Sequence, residues 1–126
     1  MKKLYLIGNM KMNFTSESFK PYLKSLKLIA KKTNNFVGIC VPSIYIPLVN
    51  KHLYKSKVVY GTQNMFYEDS GAFTGEISAN MIKDYNCKLV IIGHSERRGI
   101  FNETNEMVNK KVLKELSKNL TPIICV

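Results

Sequence analysis

Three short polar segments, each placed directly after an apolar run, carry the residues of this chain that can do chemistry. Gly8-Asn9-Met10-Lys11-Met12-Asn13 follows the first run. Gln63-Asn64 and a long loop with Thr74-Gly75-Glu76 follow the third, and Gly93-His94-Ser95-Glu96-Arg97-Arg98 follows the fourth. Lys11, with the Asn9 amide two residues away, offers an ammonium suited to an anionic ligand, although a lone loop lysine is more commonly just solvated. His94 precedes a run able to start a helix. Backbone N–H groups at a helix start disfavour a positive imidazole, so His94 should stay neutral and serve as a hydrogen-bond electrophile for a carbonyl. A structural histidine capped by its loop satisfies the same pattern. On pairing alone, Glu96 beside Arg97 and Arg98 reads as an ion-pair cluster. Neither His94 nor His52, the other imidazole, has a second His or Cys at ligand spacing, so no metal site is expected.

The elements that must position these groups alternate along the chain. Lys3–Ile7 reads as a strand, and Thr15-Ser16-Glu17 offers caps for a helix carrying Phe19, Tyr22, Leu23, Leu26, Ile29 and Ala30 at helical spacing. Pro21 fits that helix only near its first turn. Phe36–Val41 is a second strand, about Ile44 to Tyr54 a helix, and Val58-Val59-Tyr60 a third strand. The irregular segment from Asn64 to Glu76 is long enough to suggest a functional loop. A helix from about Ser78 to Tyr85 leads to a strand, Lys88–Ile92. A last helix, about Thr104 to Ser117, sets Val108, Val112, Leu113 and Leu116 on one face before a fifth strand, Thr121–Val126. Nearly all-apolar strands alternating with helices indicate an α/β fold with a parallel sheet, in a single domain spanning residues 1–126. Chemistry in such folds collects at the strands' carboxyl ends. The absence of G-x-G-x-x-G and G-x-x-x-x-G-K motifs argues against a nucleotide-binding version.

Composition narrows the partners. The 126 residues are 45% hydrophobic and 22% charged, as in an ordinary globular domain. The formal charge of +10 permits nucleic-acid binding, but Arg97 and Arg98 are the only arginines among nineteen basic residues. Base and phosphate recognition favours the arginine fork, and the lysines are scattered, so no nucleic-acid partner is expected. Leu4–Ile7 stops at Gly8, short of the apolar core of about 7–15 residues in a signal peptide. No run approaches the roughly 18–20 residues that span a bilayer, so the expectation is a cytoplasmic protein with no membrane contact. Cys40, Cys87 and Cys125 form no C-x-x-C pair and read as small hydrophobes in a reducing compartment.

Taken together, these segments resemble the triosephosphate isomerase family. Asn9-Met10-Lys11-Met12-Asn13 is similar to its first-strand motif, Ala72-Phe73-Thr74-Gly75-Glu76-Ile77-Ser78 to its third loop, and Ile91-Ile92-Gly93-His94-Ser95-Glu96-Arg97-Arg98, followed by Phe101 and Glu103, to its histidine signature. The resemblance runs in register from Lys3 to the final strand. It implies an eight-stranded TIM (β/α)8 barrel of about 250 residues, of which this chain supplies a partial barrel of about five strands and four helices. It implies cofactor-free interconversion of dihydroxyacetone phosphate and glyceraldehyde 3-phosphate, in glycolysis and gluconeogenesis, through an enediolate. The family is the standard illustration of a neutral histidine polarising a carbonyl beside a glutamate base. By that match His94 is the electrophile, Lys11 and Asn9 bind the phosphorylated triose, and Glu96 organises His94 and Lys11. The resemblance also implies a homodimer. Thr74 would reach Asn9 and His94 of the partner subunit, and Glu76 would pair with the partner subunit's Arg97.

Two departures qualify what the resemblance implies. Met10 stands where the family usually carries Trp, which removes aromatic packing but no catalytic group. The sequence also ends in what would be the fifth strand, before the glutamate base, the lid and the phosphate-binding loops. The expectation is therefore that the isolated chain lacks useful isomerase activity, exposes much of its inner face and associates or is poorly soluble. The alternative is a non-catalytic half-barrel scaffold or phosphate-ligand module.

Overall fold

Along the strand Phe36–Val41, Val37, Ile39 and Val41 belong to one buried cluster, while Cys40 belongs to another on the opposite face, with Phe36 packed against it. That alternation divides the whole molecule. The computed structural model describes residues 2–126. In order it contains β1 (Tyr5–Asn9), α1 (Ser16–Lys31), β2 (Phe36–Val41), a 3₁₀ turn (Ser43–Tyr45), α2 (Ile46–Leu53), β3 (Val58–Thr62), α3 (Ala79–Asp84), β4 (Leu89–Ile92), α4 (Ser95–Ile100), α5 (Asn105–Ser117) and β5 (Thr121–Ile124). The strands lie in the order β1-β2-β3-β4-β5, and every neighbouring pair is parallel. Right-handed crossovers between consecutive neighbours all fall on the same side of the sheet. The result is a singly wound half-barrel, with helices outside and a concave inner face. Among the described residues no helix is long and apolar enough to cross a membrane.

The outer core joins Val37, Ile39, Val41, Tyr60, Val90 and Ile92 of the sheet to residues such as Phe19, Leu23 and Val49 of the helices. The inner cluster is small: Cys40, Leu89 and Ile91, flanked by Phe36, Val59, Ile123 and Cys125. The inner face is thus more closed than the sequence suggested, because Leu89, Ile91 and Cys40 are only 0–4% exposed. Exposure concentrates instead on β1 and its approach, at Leu4, Tyr5, Leu6 and Ile7, and on Ile124. Gly61 permits the tight apposition of β3 and β4, since a Cβ there would overlap the Leu89 backbone. Burial pushes the Cys40 and Cys87 thiols up to about 12, so both stay protonated fillers of apolar space.

Element ends follow local chemistry. Thr15 caps α1 through a reciprocal box, its hydroxyl accepting from the Ser18 N–H at 3.2 Å while Ser18 Oγ accepts from the Thr15 N–H at 3.0 Å. Pro21 lies beyond the first turn of α1, later than its chemistry prefers. The stacked Phe14–Phe19 pair at 4.6 Å and the Phe19–Tyr45 edge contact at 5.6 Å hold that stretch against the core. β1 begins and ends two residues later than the Lys3–Ile7 reading, because the parallel ladder continues to the Asn9–Cys40 pair. The segment after β4 forms two helices, so the described residues contain five α-helices rather than four. Asn102, at φ 55°, turns the chain between them, and Thr104 caps α5 by accepting from the Met107 N–H.

The largest departure from the sequence reading is on α5. Leu113 and Leu116, expected to face inward, are 59% and 56% exposed, while Lys111 and Glu115 are buried with Val108. These three residues follow the i, i+3, i+7 spacing of one helical face. Lys111 can lie there because buried acceptors meet its ammonium, as described below. Glu115 has no such partner: both carboxylate oxygens are buried without a hydrogen bond. Burial pushes its carboxyl up from an ordinary 4.5 to about 8, against the pull of Lys111, so it is protonated at neutral pH.

A carboxyl raised on folding stabilises fully below its unfolded value, and that contribution is lost as pH rises through the folded one. Replacing Glu115 by leucine should therefore stabilise the chain increasingly as pH rises from about 5 to 8. The variant-to-parent gap is expected to widen by about 1.4 kcal/mol per pH unit, read from urea unfolding at several pH values. A gap independent of pH would contradict a protonated Glu115.

Candidate active site

At the carboxyl rim of the half-barrel, residues far apart in sequence converge. Asn9 ends β1, and its side-chain oxygen accepts the Lys11 N–H at 2.9 Å. Gln63, just past β3, donates to the Lys11 carbonyl at 2.8 Å and to the Cys40 carbonyl at 3.3 Å. Both backbone polar groups of Lys11 are therefore held by side chains, which stabilises its left-handed conformation at φ 51°. The Lys11 ammonium donates to Glu96 Oε1 at 2.6 Å, an ion pair joining the ends of β1 and β4 across 85 positions of sequence. This hydrogen bond is the main reason the Glu96 carboxyl lies below its ordinary range.

His94 follows Gly93, whose backbone at φ 69° turns the chain out of β4, and it caps α4. Its Nδ1 accepts the Glu96 N–H at 3.2 Å, which leaves Nε2 to carry the ring proton. Glu96 thus organises both neighbours, His94 through its main chain and Lys11 through its side chain. It does not pair with Arg97 or Arg98, correcting the simple ion-pair reading. Arg97 donates to Glu103 at 2.8 Å, and Arg98 donates to the Gly93 carbonyl at 2.8 Å and to Asn105 at 2.6 Å.

Asn9, Lys11, His94, Glu96, Glu76 and Arg97 all line one open cavity of about 390 Å³. Thr74 is exposed and lies outside that lining, at the far part of the loop. The loop is packed on itself through Phe66, Tyr67 and Phe73, with ring centroids 4.2 and 4.7 Å from Phe66. Asp69 anchors it to α5 through Lys114 at 3.2 Å and beside it Lys118 at 2.9 Å. Met10 points to the other side of β1, where it packs against the outer core. Among the described residues, no group of three or more His, Cys, Asp or Glu side chains is arranged to hold a metal ion.

A family model described as triosephosphate isomerase matches residues 4–126. A curated triosephosphate isomerase of Alkaliphilus oremlandii is 46% identical over all 126 residues, and that of Methylococcus capsulatus is 41% identical over the same span. The chain belongs to the triosephosphate isomerase family. Triosephosphate isomerase of Finegoldia magna is 42% identical over 125 residues. The chain spans about half the length of these curated triosephosphate isomerases, 50–51% in each case.

Behind this cavity lies a charged network that the sequence reading did not identify. Glu103 Oε2 accepts from Arg97 and from Lys111, each at 2.8 Å, and Lys111 also donates to Asn64 Oδ1 at 2.8 Å. The Glu103 and Lys111 side chains are only 1% and 2% exposed. Burial alone would raise the Glu103 carboxyl, but its hydrogen bonds from Lys111 and Arg97 outweigh burial and hold it below the ordinary range. The available signal was the spacing of Lys111 with Val108 and Glu115 on the buried helical face.

Glu103→Leu should cost about 3–5 kcal/mol of stability, because it strands the buried Lys111 ammonium. Glu96→Leu removes an ion pair in solvent and should barely move the urea midpoint. Equal shifts in the two variants would contradict this division between the buried and exposed pairs.

Proposed function

We propose that this chain supplies the amino-terminal half of an isomerase site for a phosphorylated triose, interconverting dihydroxyacetone phosphate and glyceraldehyde 3-phosphate. The observation that carries this reading is the 2.6 Å Lys11–Glu96 contact, which fixes an ammonium at the same rim as the His94 imidazole. In the proposed reaction, His94 Nε2–H donates to the substrate carbonyl oxygen as negative charge develops there. Lys11 adds positive charge and Asn9 a donor at the oxygens and the phosphate. Each is most effective where the charge of the enediolate exceeds that of the bound triose. Glu96 fixes Lys11 and His94 without taking a substrate proton. The site carboxylates among the described residues are Glu76 and Glu96. Glu96 is committed to Lys11 and, on this reading, Glu76 to the subunit interface, so neither takes the proton from carbon. A pure scaffold has no use for an imidazole and a fixed ammonium lining one cavity.

The same reading makes the enzyme a cytoplasmic homodimer acting in glycolysis and gluconeogenesis without a cofactor. Thr74 and Glu76 then carry the third loop across the interface, with Glu76 meeting the partner subunit's Arg97. Support comes from the exposure of Thr74 and Glu76 in a loop whose Asp69 is held on α5.

The test joins this chain to the carboxyl-terminal half of the Alkaliphilus oremlandii relative, aligned at the end of the shared region. The chain alone should show no isomerase turnover, and the joined protein should be active. His94→Gln in the joined protein should lower kcat by about 10²–10³ with little change in stability. A joined protein that unfolds cooperatively yet is inactive would overturn the proposal, as would full activity after His94→Gln.

A further inference from the structure

The positive charge of this chain is unevenly distributed. Residues 15–57 contain eight lysines and a single carboxylate, Glu17, and so hold seven of the ten net charges. Four of these lysines gather around the α1–α2 groove. Lys20, Lys24 and Lys27 come from α1 and Lys51 from α2, and Lys27 Nζ donates to the His52 carbonyl at 3.2 Å, tying the helices together. No ion pair among the described residues uses any of the four, whereas Lys110, Lys111, Lys114 and Lys118 are all paired with carboxylates. His52 senses the crowding. Burial, followed by Lys24, Lys51, Lys20 and Lys27, pushes its imidazole below the ordinary value. Like charges placed together without counter-charges cost free energy, which an anionic partner would relieve.

We propose that the groove between α1 and α2 docks an acidic segment of another protein, its carboxylates meeting Lys20, Lys24, Lys27 and Lys51. Three features favour carboxylates over a nucleic-acid backbone. The cluster contains no arginine, since Arg97 and Arg98 both lie on α4, so the guanidinium that most often reads base edges is missing. The nearest rings offer no free platform for bases: Tyr22 packs against the core, and the half-exposed Tyr54 lies beneath the Lys55 ammonium at 5.5 Å. Lys20, Lys24 and Lys27 rise about 6 and then 4.5 Å along the helix axis. An acidic helix with carboxylates four and then three residues apart repeats that interval. The groove lies on the outer side of the sheet, away from the cavity that holds His94, so docking leaves the proposed active site open.

The test titrates the joined protein described above at low salt with a glutamate-rich helical peptide, following the His52 ring by NMR with His94 as internal reference. Binding should raise the His52 titration midpoint and weaken steeply with added salt. A variant with Lys20→Gln, Lys24→Gln and Lys51→Gln should bind at least about tenfold more weakly. A variant with Lys2→Gln, Lys3→Gln and Lys88→Gln, of equal net charge, should bind like the parent. Circular dichroism checks that both remain folded. An unchanged His52 midpoint would overturn the proposal, as would equal weakening in both variants. Tighter binding by a single-stranded oligonucleotide of the same charge would assign the groove to nucleic acid instead.

Discussion

The arrangement depends on one topological constraint: each crossover returns to the neighbouring parallel strand on the same side of the sheet. Five strands then end on one rim, and the polar residues that stop them face the same space. Lys11 and Glu96 meet across 85 residues because β1 and β4 finish at the same level, not because of any local signal. The apolar cost of that geometry is met outside the rim, where β-branched side chains of the sheet interlock with α1 and α2. The site itself needs little apolar burial and stays open to a polar ligand.

Charge within the fold is used in two ways. At the rim, Lys11 and Glu96 are about half exposed, so their attraction is screened and serves chiefly to set positions. Behind the rim, Glu103 and Lys111 are almost fully buried, where removing one partner is far more costly than replacing the pair. Asn64 at the end of β3, Arg97 on α4 and Lys111 on α5 all meet in this buried group. It therefore ties three elements that carry the rim. Glu115, one turn further along α5, receives none of these partners and remains in the fold as a neutral acid.

Much of this was legible in the residues. Short apolar runs spaced by helices implied the parallel sheet, and polar strand ends implied the location of the site. The β2 boundaries matched because Phe36 and Val41 are bracketed by Asn35 and Pro42, which interrupt pairing at both ends. Hydrophobic residues alone do not mark the inward face of α5, where Lys111 and Glu115 are buried and Leu113 and Leu116 exposed. Lys111 and Glu115 are inward by geometry, and a neighbour 47 residues away in sequence, Asn64, helps make the buried lysine possible. No local pattern contains that information. The role of Gln63 was similarly hidden, since its partner is a carbonyl 52 positions earlier.

The capture of Lys11 by Asn9 and Gln63 acts on its amide and its carbonyl, leaving the side chain to Glu96 alone. Where the group sits and what the group is are thus specified by different residues. The loop offers a socket whose shape does not depend on the charge it presents. A lineage, or a designer, can exchange the ammonium for another function while inheriting the address.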